Sequence, residues 1–129
     1  GYDVARELVK WGITAVVLKY RIPDDRTMED RTVGPLQDAQ QAMFVVRRRA
    51  EAWGIHPNRI GIMGFSAGGH LASTLGTHFL QPLLPAFKET SLRPDFMVLV
   101  YPVISFRDDI GHRGSRDQLL GKNPAADLI

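Results

Sequence analysis

Apolar positions along the chain follow two different spacings. In residues 2–11, Val4, Leu8 and Trp11 recur every three or four positions and Gly12 follows, which predicts a helix stopped by the glycine. Residues 14–20, Thr-Ala-Val-Val-Leu-Lys-Tyr, are apolar and β-branched with no helical period. They predict a strand buried on both faces of a parallel sheet. The polar stretch Arg21 to Gly34, with Pro23 and paired aspartates, predicts a loop. Residues 35–53 carry the longest helical pattern. Pro35 suits the first turn, Leu36, Ala39, Met43, Val46, Ala50 and Trp53 form one stripe, and Gly54 ends it. On that stripe Trp53 is a core residue.

Pro57-Asn58 turns the chain into a short strand at 59–64. Residues 67–79 predict a helix with Leu71, Leu75 and Phe79 on one face, and roughly 80–94 a Pro-rich loop. Residues 95–101, Asp-Phe-Met-Val-Leu-Val-Tyr, predict another buried strand that Pro102 stops, and a short helix follows near Asp117 to Leu120. Helix and strand alternate three times. That order implies right-handed βαβ units and an α/β fold in which helices cover a mostly parallel sheet. No composition shift divides residues 1–129, which are read as a single domain.

Composition narrows the chemistry. There is no cysteine, so disulfides, thiolate zinc sites and cysteine nucleophiles are excluded; a reducing compartment fits but is not required. The 16 basic and 14 acidic residues leave a net charge of +2, without an aromatic-and-basic stripe, so nucleic acid is not an expected partner. No apolar run approaches membrane-spanning length. The chain starts at Gly1 rather than methionine and is read as part of a longer one.

The chemistry concentrates at Gly64-Phe65-Ser66-Ala67-Gly68, a G-x-S-x-G pattern extended by Gly69 and set between a predicted strand and a predicted helix. Such a corner projects the serine outward. Glycines let strand and helix approach, because a Cβ at either Gly64 or Gly68 would crowd the turn. The helix start supplies oriented N–H groups and a positive dipole end. Ser66 is therefore the candidate nucleophile, and the Ala67 N–H the candidate donor to an oxyanion. A glycine-rich turn with a capping serine is the plainer alternative. Phosphate-binding patterns do not fit: no Lys-Ser/Thr follows the glycines, and Ser66 stands where a dinucleotide motif needs its second glycine.

Gly64 to Ala72, with Leu18-Lys19-Tyr20-Arg21, Trp53 to Ile60, Tyr101 to Ser105 and His112 to Ser115, resembles bacterial α/β-hydrolase esterases of the acetyl-xylan or feruloyl type. These are relatives of hormone-sensitive-lipase-like carboxylesterases. The resemblance implies hydrolysis of a short-chain ester, acetyl on a carbohydrate, by a Ser-Asp-His triad that needs no cofactor or metal. It also implies a glycine-rich oxyanion loop upstream, and an acid and a histidine on separate later loops; residues 1–129 show neither. His70 and His78 fall on the helix leaving the elbow, and His112 follows Asp108 and Asp109 too closely. No triad partner is assigned. In the family register the strands are the fourth, fifth and sixth, and the third, absent here, would lie between residues 14–20 and 59–64. Each buried backbone group left unpaired costs about 1–3 kcal/mol, so the stretch is expected to be an incomplete core, with little esterase activity alone. A prolyl-oligopeptidase-like peptidase and a non-catalytic interaction module remain alternatives.

Other candidates have structural readings. His70 is expected to pack beneath the elbow, and Arg47-Arg48-Arg49 to form a solvated helix face. Asp24, Asp25, Glu29 and Asp30 lack the spacing of a calcium loop. Asp38 suits a helix first turn, and Arg21, at a strand end, suits an ion pair. After the last strand, His112, Arg113 and Ser115 are candidates for lining a substrate entrance.

Overall fold

A computed structural model describes residues 1–129. Helix α1 spans Tyr2–Lys10, α2 Gly34–Arg49, strand β1 Ile62–Phe65, α3 Ser66–Thr77, β2 Met97–Val100 and α4 Arg113–Leu120. Short 3-10 turns lie at Pro85–Glu89 and Ala126–Leu128. The two strands pair in parallel, with Ile62 opposite Met97 and Phe65 opposite Val100. Between them the chain crosses through α3, the βαβ connection that a parallel pair requires.

The core lies between α2, α3 and the strands. Ala39, Met43 and Ala50 meet Leu71 and Leu75 of α3 and Ile60 just before β1. α3 packs on both strands and α2 packs on α3. Met63 and Val98 share the opposite sheet face by register and alternation, and that face is partly open.

Residues 14–20 do not form the strand that their composition predicts. They make no backbone–backbone hydrogen bond and join no ladder. Val16 is 57% exposed, so burial on both faces does not hold either. The reason is pairing: a β-prone run becomes a strand only beside another, and no strand of this chain lies there. Leu18 and Tyr20 nonetheless pack against the core.

α2 is shorter than its stripe. It ends at Arg49, the chain turns through residues 50–54, and Gly54 takes a left-handed φ of 65°. Trp53 is therefore outside the helix and 43% exposed beneath the Arg49 guanidinium, not in the core. The region 80–94 is more ordered than a loop, because Pro85–Glu89 buries Phe87 against Phe44. Gln40, fully buried on α2, holds it by donating to the Gln81 carbonyl (3.0 Å) and accepting from the Leu83 N–H (2.9 Å). The last helix begins at Arg113, four residues earlier than its apolar pattern predicts, because the His112 ring caps it.

Candidate active site

The elbow is built by two incompatible backbone demands. β1 delivers Phe65 in extended geometry (φ −118°, ψ 139°), and α3 begins at once. Ser66 joins them with φ 50°, a left-handed conformation that costs an ordinary residue about 1–2 kcal/mol. Ser66 and Ala67 are both exposed, and the Ser66 hydroxyl makes no hydrogen bond. The turn can close this tightly because Gly64 has no side chain: a Cβ there would stand 2.1 Å from the Gly68 carbonyl oxygen and 2.7 Å from the Gly69 nitrogen. Gly69 is equally constrained by Pro102, whose Cβ a side chain would meet at 2.9 Å. Gly68 differs from the expectation that a Cβ would crowd it. Only the Tyr20 hydroxyl comes near, at 3.7 Å.

The histidines are spent locally. His56 accepts the Asn58 N–H at 3.2 Å. His70 donates Nδ1–H to the Val103 carbonyl at 2.8 Å, a direction fixed because a carbonyl only accepts, and its ring lies 4.7 Å from Phe106. It ties α3 to the segment after β2. His78 bonds Thr77 and the Thr74 carbonyl. His112 accepts the Ser115 N–H at 3.1 Å as the cap of α4, while Arg113 beside it is exposed and makes no ion pair. None reaches the Ser66 hydroxyl, and neither does a carboxylate. Asp108 pairs with the buried Arg116 at 2.6 Å, and Asp109 with Arg107 at 2.7 Å.

Charged groups elsewhere brace the fold. Arg21 donates to Asp38 from its backbone N–H (2.8 Å) and its guanidinium (2.8–3.0 Å), the ion pair expected at this position. Burial pushes the Asp38 carboxyl up, but the side-chain and backbone hydrogen bonds from Arg21 outweigh it and leave its pKa lowered. Asp24, under the Arg26 guanidinium, is lowered to about 2. The arginine run is not uniformly solvated. Arg47 is only 12% exposed: it donates to the carbonyls of Pro57 (2.6 Å) and Arg93 and pairs with Asp95 at 3.2 Å. Asp95 in turn accepts the Ile60 N–H at 2.9 Å. Arg47 lies one turn beyond Met43 on the buried side of α2, which is why it points inward.

Two clefts are open elsewhere. One, about 650 Å³, is lined by residues 22–27, Arg31 and Gln118; the other runs along the apolar side of α1 with Ala15 and Val17. Neither is lined by Ser66. No cluster of side chains fit to hold a metal ion is present, and no helix is long and apolar enough to cross a membrane.

The family model of BD-FAE matches residues 1–104. The chain belongs to the BD-FAE family. An acetylxylan esterase of Xylanibacter ruminicola is 42% identical over 122 residues, which cover 95% of this chain and 22% of that protein. An endo-1,4-beta-xylanase B of Butyrivibrio fibrisolvens is 37% identical over 127 residues, 96% of this chain and 20% of that protein. The crystal structure of an acetyl ester-xyloside bifunctional hydrolase from Caldicellulosiruptor lactoaceticus superposes with a TM-score of 0.82 at 44% identity, covering 98% of this chain and 45% of that one. The BD-FAE chain thus spans about a fifth of the length of these curated relatives. Its parallel pair and flanking helices are part of an α/β-hydrolase core.

Proposed function

We propose that this stretch carries the nucleophile of a serine carboxylesterase that removes a short acyl group, acetyl, from a carbohydrate. One observation carries the reading: Ser66 stands exposed in left-handed geometry at a strand-to-helix corner that Gly64 and Gly69 leave sterically open. The relatives named for acetylxylan and acetyl ester-xyloside hydrolysis support the substrate class.

In this mechanism the Ser66 oxygen attacks the ester carbonyl and its proton passes to a base. The resulting oxyanion sits against the Ala67 N–H at the start of α3, where the dipole end is positive. The bond from carbon to the sugar oxygen breaks, and that oxygen takes the proton. Water then attacks the acyl-enzyme, releasing acetate and restoring the serine. Gly64, Phe65, Gly68 and Gly69 shape the corner, and Arg113, with His112 beside it, stands among the residues after β2 at the substrate entrance. No base among residues 1–129 is placed for the proton, so these residues alone are expected to hydrolyse p-nitrophenyl acetate at close to the background rate.

In the whole protein, Ser66→Ala is expected to lower turnover of p-nitrophenyl acetate by about a millionfold, the scale seen when a serine hydrolase loses its nucleophile. Retained hydrolysis by that variant would overturn the proposal.

A further inference from the structure

Ser66 (φ 50°) and Tyr101 (φ 37°) are the residues other than glycine with left-handed backbone. They are neighbours. The register pairs Phe65 with Val100, so the next step past the ladder sets Ser66 beside Tyr101, both at the carboxyl ends of their strands. That edge is where open α/β sheets receive ligands. A bulky residue at such a φ is disfavoured, because its Cβ crowds the carbonyl oxygen, and persists only where the surroundings impose it.

The surroundings do impose it. Pro102 lies against Gly69, the Val103 N–H donates to the Ser66 carbonyl at 3.3 Å, and the Val103 carbonyl accepts from His70 at 2.8 Å. The strain is not offset by burial of the tyrosine. Tyr101 is 71% exposed, and its ring touches the Phe65 ring, with centroids 5.9 Å apart and planes at 58°. The backbone at Tyr101 is thus held by the contacts of Pro102 and Val103 to α3, and its exposed ring lies against Phe65, the residue before the nucleophile.

We propose that Tyr101 is the platform on which the sugar ring bearing the ester stacks while its acyl carbonyl meets Ser66. The inference rests on the esterase reading above and names the residue that recognises the alcohol part. An acetyl methyl is too small to use a whole phenol face, whereas a pyranose presents a flat set of C–H groups that can lie across an aromatic ring. Tyrosine offers that area at low entropic cost, having only two side-chain torsions to fix.

The test uses the whole protein with Tyr101→Gly, which deletes the ring and relieves the left-handed backbone, and Tyr101→Phe, which keeps the ring. Tyr101→Gly is expected to melt no lower than the parent, yet to lose about tenfold more kcat/KM on acetylated xylo-oligosaccharide than on p-nitrophenyl acetate, while Tyr101→Phe keeps the parent's ratio. A binding arm needs no catalysis. Ser66→Ala protein titrated with deacetylated xylo-oligosaccharide should bind it, and adding Tyr101→Gly should weaken binding about tenfold. Equal losses on both esters, a lower melting temperature with an unchanged ratio, or unaltered titration would overturn the role of Tyr101. If Ser66→Ala retained ester hydrolysis, the esterase reading would fail instead, and the titration would still decide on Tyr101.

Discussion

Gly64 and Gly68 flank Ser66 symmetrically in the motif but answer to different constraints. A methyl at Gly64 meets backbone, which has no rotamer to move away with; one at Gly68 meets only a tyrosine hydroxyl at van der Waals distance. Gly64→Ala should therefore lower stability by about 1–3 kcal/mol or more in a urea titration, as overpacking does. Gly68→Ala should be neutral or gain up to about 1 kcal/mol from helix propensity. The motif singles out Ser66 as the candidate because a serine nucleophile needs that one residue type at that corner. It left the two glycines indistinguishable, since which Cβ collides depends on the packing of β1, α3 and residues beyond Tyr101. Asp38 gives a second test at this scale. Its folded pKa is lowered, so its stabilising contribution is present above the unfolded value of about 4 and is lost as pH falls through the folded one. The stability gap between the parent and Asp38→Asn, read as urea midpoints, should close as pH drops below about 4. A gap that stays constant with pH would show that Arg21 does not hold a charged carboxylate there.

α2 shows what a hydrophobic stripe conveys and what it hides. Leu36, Ala39 and Met43 were legible as its inner side, yet Gln40 and Arg47 share that side at helical spacing, Gln40 fully buried and Arg47 mostly covered. Their position on the stripe is a signal; reading Arg47 with its two neighbours as a solvated run obscures it. Each has a task that only tertiary contacts reveal. Gln40 satisfies two backbone groups of the 81–83 turn, and Arg47 clamps the approaches to both strands through Pro57, Arg93 and Asp95. Hydrogen bonds to a charged group are worth about 1.5–3 kcal/mol. Arg47→Ala should cost at least that in a urea melt, whereas Arg48→Ala, at an exposed neighbour, should stay within about 0.5 kcal/mol. Equal effects of the two substitutions would remove the clamp from the account.

Across the whole molecule the layers are uneven. α3 and the parallel pair form a tight unit, while residues 14–20 run extended with no ladder partner, although their composition is that of a central strand. The buried strand that the composition of residues 14–20 predicts does not form; pairing depends on a neighbouring strand, which no local pattern encodes. Amides 14–20 of this chain should accordingly exchange with solvent as fast as a mobile loop, while those of β1 and the middle of α3 are protected. The proposed catalysis likewise depends on how the parts meet: a serine delivered by β1, held in left-handed backbone and exposed at the first position of α3. Labelling of the whole protein with a fluorophosphonate, followed by peptide mass mapping, tests it most directly. The account predicts a single adduct on Ser66 that disappears in Ser66→Ala; an adduct on a different residue, or undiminished labelling of the variant, would contradict it.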